Sequence, residues 1–103
     1  MSAGAGEPAR LEATVHGRVQ GVGFRYYVVD AAMSLGVTGW VANEQDGSVH
    51  CVAEGPRRDL ERLLATLHDG PISADVEWVD EVWMPPTGRF SSFGIRSAGH
   101  GGD

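Results

Sequence analysis

Hydrophobic and polar positions change their spacing several times along this chain. Between Leu11 and His16 apolar and polar residues alternate, which predicts a strand with one buried face. From Phe24 to Leu35 the apolar positions recur every three or four residues, and Gly36 follows them, which predicts a helix that ends at a glycine. The ordered part of the chain therefore begins with a strand followed by a helix.

The rest of the chain repeats these two patterns in four longer segments. They are a strand at 37–43, a strand at 48–54, a helix at 55–70 and a strand at 75–83. The Asp46-Gly47 pair between the first two of these strands is typical of a hairpin turn. Residues 93–96 (FGIR) are long enough only for a short closing strand at a sheet edge.

The predicted order of elements is β-α-β-β-α-β with a short final strand. This order is typical of the α+β class and of the ferredoxin-like sandwich, in which two helices cover one face of an antiparallel sheet. The small and polar ends of the chain predict a disordered arm at 1–9 and a disordered tail at 97–103, so the compact domain spans 10–96. Because many functions share this fold, the fold alone assigns none.

Composition narrows the choice of partners. A chain of 103 residues, 42% of them hydrophobic, makes one domain with a single core. Its net charge of -6 argues against binding to nucleic acid, because phosphate backbones select basic surfaces. An RNA-binding sheet of the same order would also display aromatic residues on its central strands, whereas the third strand offers His50, Cys51 and Val52.

Cysteine content and hydropathy bear on the compartment. The single cysteine, Cys51, excludes an internal disulfide framework and a paired-cysteine metal site. The first ten residues lack the apolar stretch of a signal peptide, and no apolar run approaches the length of a membrane span. We therefore predict a cytoplasmic monomer that binds neither membranes nor nucleic acid.

Strand direction predicts where a site would lie. The first helix carries the chain back, so the first two strands run in the same direction and end at the same end of the sheet. The loop at 17–24 follows the first strand, and the hairpin at 43–47 follows the second. Asn43, Arg25 and the glycine-rich loop can therefore meet, although they are far apart in sequence.

The stretch HGRVQGVGFR, residues 16–25, combines three glycines with two arginines. Gly17, Gly21 and Gly23 allow backbone angles that expose successive N–H groups to an anion. The loop opens directly into a helix N-terminus, which attracts negative charge. Arg25 in the first helical turn is unfavourable for the helix dipole by roughly a few tenths of a kcal/mol, and such misfits cluster at functional sites. Its planar guanidinium suits two phosphoryl oxygens.

Each of these residues also has an ordinary structural explanation. Glycine is common in strand-to-helix turns, and an arginine near a helix start is more often solvated than functional. Asn43 beside a hairpin is most often a turn former, and His16 at a strand end is more often hydrogen-bonded than a general base. Their combination is more specific than any one of them.

The combination resembles the acylphosphatase family. GRVQGVGFR (17–25) is similar to the family's phosphate-loop motif, and GWVANEQDGSV (39–49) is similar to its second motif around the hairpin. Both occur in the family's order and spacing. The resemblance covers the whole compact region at 10–96.

The resemblance implies hydrolysis of small acyl phosphates to a carboxylate and inorganic phosphate, by in-line attack of a water and without metal or cofactor. Arg25 would bind the phosphoryl group, and Asn43 would orient the water. The backbone amides of the loop would cradle the same oxygens, and these residues are Arg18, Val19, Gln20, Gly21, Val22 and Gly23. The alternative is a non-catalytic anion-binding or regulatory module on the same fold, against which the intact Arg25 and Asn43 argue.

Overall fold

The computed structural model describes residues 5–97 of the chain. Seven elements follow one another: β1 (Pro8–Arg18), α1 (Phe24–Leu35), β2 (Thr38–Asn43), β3 (Val49–Pro56), α2 (Arg57–Asp69), β4 (Asp75–Met84) and β5 (Phe93–Ile95). The predicted order of strands and helices is confirmed. Residues 1–4 of the predicted arm and 98–103 of the predicted tail lie outside the described residues.

The five strands form one sheet in the order β4-β1-β3-β2-β5. Neighbouring strands are antiparallel except β2 and β5, which run parallel. The predicted antiparallel sheet is therefore mixed at one edge. The reason is that β4 and β5 lie at opposite edges, so the segment between them crosses the sheet and enters β5 beside the start of β2.

Both helices pack on one face of this sheet and share a single apolar core with it. The fully buried positions of β1 alternate along the strand at Leu11, Ala13 and Val15, as the alternation predicted. The buried residues of the helices have three- and four-residue spacing; they are Phe24, Val28, Ala32, Leu60, Leu63 and Leu67. Within residues 5–97 no helix is long and apolar enough to cross a membrane.

Strand β1 begins at Pro8, within the segment predicted as a disordered arm. The backbone carbonyls of Ala5 and Glu7 accept hydrogen bonds of 2.8 and 2.9 Å from the N–H groups of Arg58 and Arg57. Those N–H groups belong to the first turn of α2, where no intrahelical partner exists. The structure therefore departs from the prediction because backbone pairing, which composition does not reveal, holds this segment.

A buried carboxylate on the open face of the sheet ties down the segment between β4 and β5. Glu54 of β3 is only 6% exposed. Its two oxygens accept hydrogen bonds from the Thr87 N–H (2.9 Å), the Thr87 hydroxyl (2.8 Å) and the Gly88 N–H (2.9 Å). The Arg10 guanidinium lies 3.0 Å from the same carboxylate and 5.6 Å from the centre of the Phe90 ring. We call this group of contacts the Glu54 clasp.

The clasp favours the ionised form of Glu54. Burial alone would raise the pKa of this carboxyl group. The hydrogen bonds from Thr87 and Gly88, together with the Arg10 guanidinium, outweigh burial and lower the pKa from 4.5 to about 2. The folded state therefore binds a proton at Glu54 less readily than the unfolded chain does.

Glu54→Gln should reduce the free energy of unfolding at pH 7 by about 2 kcal/mol, because the clasp loses charge-assisted hydrogen bonds. The pKa of Glu54 is lowered on folding, so its stabilisation is present above pH 4.5 and is lost as the pH falls towards about 2. The difference between wild type and variant in urea unfolding should shrink over that interval.

The exposed Glu77 of β4 provides a matched control. Glu77→Gln should change stability by less than about 0.5 kcal/mol at any pH. A constant difference between wild type and Glu54→Gln from pH 7 to pH 2 would contradict this account of the clasp.

Candidate active site

Two adjoining cavities share Arg25 and Asn43. The smaller, of about 90 Å³, is also lined by Gly21 and Gly23 of the glycine-rich loop. The larger, of about 250 Å³, is lined by polar residues of the hairpin and the chain end as well as by Gln20. The structure thus brings together the two residues that strand direction placed at one end of the sheet.

Two glycines of the glycine-rich loop have left-handed backbone conformations. Gly21 and Gly23 have φ values of 73° and 78°, in the left-handed region that residues with a Cβ rarely adopt. Gly23 is the N-cap of α1 and provides no side chain to cap it, and the first turn of α1 contains no acidic residue. The positive end of the helix dipole therefore faces the smaller cavity without a neutralising carboxylate in its first turn.

The side chain of Gln20 fastens the loop to the hairpin. Its Nε2 donates hydrogen bonds to the backbone carbonyls of Glu44 (2.7 Å) and Ser48 (2.9 Å). Because Asn43 directly precedes this hairpin, the two bonds fix the distance between the loop and Asn43. The sequence analysis assigned Gln20 only a backbone role, and a single glutamine carries no signal of such a bridge.

The hairpin is itself ordered by local hydrogen bonds. Asp46 accepts bonds from the Ser48 hydroxyl (2.6 Å) and the Ser48 N–H (2.9 Å), as is usual for aspartate in tight turns. Both bonds hold the pKa of the Asp46 carboxyl below its ordinary value, and the bond from the Ser48 hydroxyl has the larger effect. Within residues 5–97 no group of three or more histidine, cysteine, aspartate or glutamate side chains could hold a metal ion.

The other predicted loop residues have distinct positions. Val19 lines the smaller cavity but is only 1% exposed, so it also anchors the loop in the core. Arg18 is exposed at the end of β1, opposite Asp75 of β4. The Val22 carbonyl accepts a hydrogen bond of 3.0 Å from the Ser73 hydroxyl. Arg18 and Val22 line neither of the two cavities.

Arg96 is a site residue that the sequence analysis did not assign. It follows β5 and lines the larger cavity together with Arg25 and Asn43. Because β5 runs parallel to β2, its end lies at the same end of the sheet as the ends of β1 and β2. The sequence gives no signal for the parallel pairing of β5, so the position of Arg96 at this end of the sheet could not be predicted from strand direction.

Fold and site together define a small α+β domain in which a glycine-rich loop and the first turn of a helix share a cavity with an asparagine at the end of another strand. The sequence model of the family described as Acylphosphatase matches residues 11–95. An acylphosphatase of Nocardia farcinica is 48% identical over 92 residues, which make up 89% of this chain and 92% of that one. The chain belongs to the acylphosphatase family.

Two solved structures show the same fold. The crystal structure of acylphosphatase from Bacillus subtilis has a TM-score of 0.83 and 33% identity, covering 85% of this chain and 98% of that chain. The structure of an acylphosphatase from Coxiella burnetii has a TM-score of 0.82 and 35% identity, covering 93% of this chain and all of that chain (100%). The fold predicted from the pattern of elements is therefore that of known acylphosphatases.

Gly23→Ala should lower the free energy of unfolding by about 1 kcal/mol, measured by urea unfolding. A Cβ at Gly23 would meet no atom within 4 Å, so the positive φ alone opposes alanine. Gly94 of β5 has equally open surroundings but no positive φ, so Gly94→Ala should cause no loss. Equal effects of the two substitutions would contradict a conformational requirement at Gly23.

Proposed function

We propose that this protein hydrolyses the carboxyl-phosphate bond of small acyl phosphates, as its family name describes. The single observation that carries the proposal is the shared lining of the two cavities by Arg25 and Asn43. One cavity provides backbone donors for a phosphoryl group, and the other leaves room for an acyl group. The bond to be broken would lie between them, beside both side chains.

The smaller cavity suits the phosphoryl group. Phosphoryl transfer spreads negative charge over the equatorial oxygens, so catalysis depends on positioning and electrostatic stabilisation. The loop N–H groups and the dipole of α1 would stabilise two of these oxygens. The Arg25 guanidinium would hold a pair of oxygens in its planar fork, and it needs no change of protonation during the reaction.

Asn43 suits the attacking water. Its carbonyl oxygen can accept a hydrogen bond from the water, and its amide can donate one to a phosphoryl oxygen. The water oxygen forms a bond to phosphorus while the bond from phosphorus to the acyl oxygen breaks, and the electron pair of that bond leaves with the carboxylate. The water keeps one proton as a hydroxyl of the product phosphate, and its other proton passes to a second oxygen of that phosphate, which exchanges it with solvent. Asn43 is too weak a base to take this proton, so its contribution is orientation.

The leaving group explains why no general acid is needed. A carboxylate has a conjugate acid with a pKa of about 4, so it departs without protonation. An alkoxide leaving group would require a proton donor. We therefore expect strong activity on mixed carboxylic-phosphoric anhydrides and weak activity on alkyl phosphate esters. The loop backbone, Arg25 and Asn43 belong to one chain, which supports a monomeric enzyme. The free, buried Cys51 suits a cytoplasmic location.

Hydrolysis of benzoyl phosphate tests the proposal, with a metal chelator present throughout. Wild type should be active and indifferent to the chelator. Arg25→Ala and Asn43→Ala should each lower kcat/KM by at least about 100-fold, the loss typical when one transition-state donor is removed. Circular dichroism would establish that both variants remain folded.

Arg62→Ala is the matched control, because Arg62 is an exposed arginine on α2 and lines neither cavity. It should keep the activity of wild type. An inactive wild type that still binds inorganic phosphate would favour the non-catalytic anion-binding module. Full activity of folded Arg25→Ala would contradict the proposal that Arg25 binds the phosphoryl group.

A further inference from the structure

Arg96 lies in the larger cavity, outside the smaller cavity proposed for the phosphoryl group. The Arg96 N–H donates a hydrogen bond of 2.9 Å to the Val41 carbonyl, which places Arg96 beside the end of β2. From there it lines the larger cavity with Arg25 and Asn43. It does not line the smaller cavity, which Gly21 and Gly23 of the glycine-rich loop help to line. Arg96 therefore borders the space left for the acyl group.

The side chain of Arg96 is held in place by an aromatic ring. Its guanidinium carbon lies 4.4 Å from the centre of the Trp40 ring, within the range of a cation–π contact. The Trp40 ring in turn lies 5.3 Å from the His50 ring. Stacking lowers the conformational entropy that an exposed arginine loses when it binds an anion.

The guanidinium is available to a ligand. None of the ion pairs formed among residues 5–97 includes Arg96 or Arg25. With a stacked face, the edge of a guanidinium remains open for hydrogen bonds, and a carboxylate matches that edge with two parallel bonds. The Arg96 guanidinium could therefore bind a second anionic group of the substrate without first breaking an ion pair.

The walls of the larger cavity are polar. Besides the two arginines, the residues that line it carry amide, carboxylate and hydroxyl groups, and among residues 5–97 no aliphatic or aromatic residue lines it. Such walls offer little to an alkyl or aryl chain, which gains mainly from apolar contact. They offer hydrogen bonds to a polar acyl chain.

We propose that the larger cavity is an acyl subsite in which Arg96 binds a second carboxylate, so that the preferred substrates are monophosphates of dicarboxylic acids. This inference rests on the proposed function, because it places the reacting phosphoryl group in the smaller cavity. Trp40 is a positioning residue that restricts the Arg96 side chain by stacking on its guanidinium. The net charge of -6 makes a local cation necessary, since the remaining surface repels a substrate with two anionic groups.

Glu44 makes the requirement for Arg96 stricter. Its carboxylate also belongs to the wall of the larger cavity, and Oε2 lies 3.7 Å from Nδ1 of His50. Arg96 offsets this negative charge when a substrate carboxylate is bound. Without Arg96, only Arg25, which binds the phosphoryl group, would oppose the repulsion between the substrate carboxylate and the Glu44 carboxylate, and a neutral acyl group would then become the better substrate.

Two substrates of the same shape test the inference. Fumaroyl monophosphate carries a carboxylate where crotonoyl phosphate carries a methyl group, and its trans double bond prevents cyclisation. The measured quantity is the ratio of kcat/KM for fumaroyl to that for crotonoyl phosphate. Differences in leaving-group chemistry cancel when this ratio is compared between wild type and variant.

Arg96→Gln should lower the ratio at least about fivefold, as expected for loss of a bidentate charge-assisted contact. The change should fall on KM for fumaroyl monophosphate, because the contact exists equally in the ground and transition states. Arg96→Lys should restore part of the preference, since it keeps the charge but not the planar fork. Added salt should weaken the preference of wild type.

Arg89→Gln is the matched control. Arg89 is an exposed arginine that shares with Arg96 a separate hollow over Trp40, but it does not line the larger cavity. Its substitution should leave the ratio unchanged. A fall of the ratio in Arg89→Gln in place of Arg96→Gln would move the carboxylate to that hollow and overturn the proposal.

The remaining outcomes separate this inference from the proposed function. Equal losses for both substrates in Arg96→Gln would mean that Arg96 acts on the phosphoryl group, and an unchanged ratio would mean that it contacts no substrate carboxylate. Either result overturns the acyl subsite while crotonoyl phosphate hydrolysis by wild type still supports the enzyme. Failure of wild type to hydrolyse either substrate would contradict the proposed function itself.

Discussion

The direction of the strands is the constraint on which the site depends. Strands β1, β2 and β5 run the same way, so the residues that follow them gather at one end of the sheet. The glycine-rich loop with Arg25 follows β1, Asn43 ends β2 and Arg96 follows β5. Three segments that are distant in sequence thus meet without any of them being long or mobile. The Gln20 side chain then fixes the spacing of loop and hairpin through two hydrogen bonds to backbone carbonyls.

The position of β5 depends on contacts at the opposite end of the sheet. The segment between β4 and β5 must cross the open face, and the Glu54 clasp holds it there through buried hydrogen bonds. A carboxylate so far from the chemistry would ordinarily be read as a stability feature only. Here the same contacts hold the segment that leads into β5, and Arg96 follows β5 at the larger cavity. The segment between β4 and β5 therefore links the stabilising clasp at one end of the sheet to the proposed substrate contact of Arg96 at the other end.

Much of this arrangement could be predicted from the sequence, because it depends on local signals. Alternation and helical spacing predicted the elements, glycines indicated the turns, and strand alternation brought Arg25 near Asn43. Three features escaped prediction because they depend on tertiary contacts. The parallel pairing of β5 depends on a crossing segment with no periodicity, and the bridge of Gln20 depends on a hairpin 24 residues away. The order of the segment before β1 depends on hydrogen bonds from the start of α2 to the carbonyls of Ala5 and Glu7.

The most direct test of the central claim is a titration of the protein with inorganic phosphate, followed by the ¹H–¹⁵N chemical shifts of its amides. The account predicts saturable shifts concentrated in the loop from Val19 to Gly23, in the Arg25 Nε–H and in the side-chain amide of Asn43. The N-terminus of α2 is an internal reference that should stay unshifted, because the carbonyls of Ala5 and Glu7 already accept its first N–H groups and Asp59 lies in its first turn. Shifts of equal size at both helix N-termini, or none in the loop, would contradict a specific phosphoryl cradle and leave only general attraction of anions to helix dipoles.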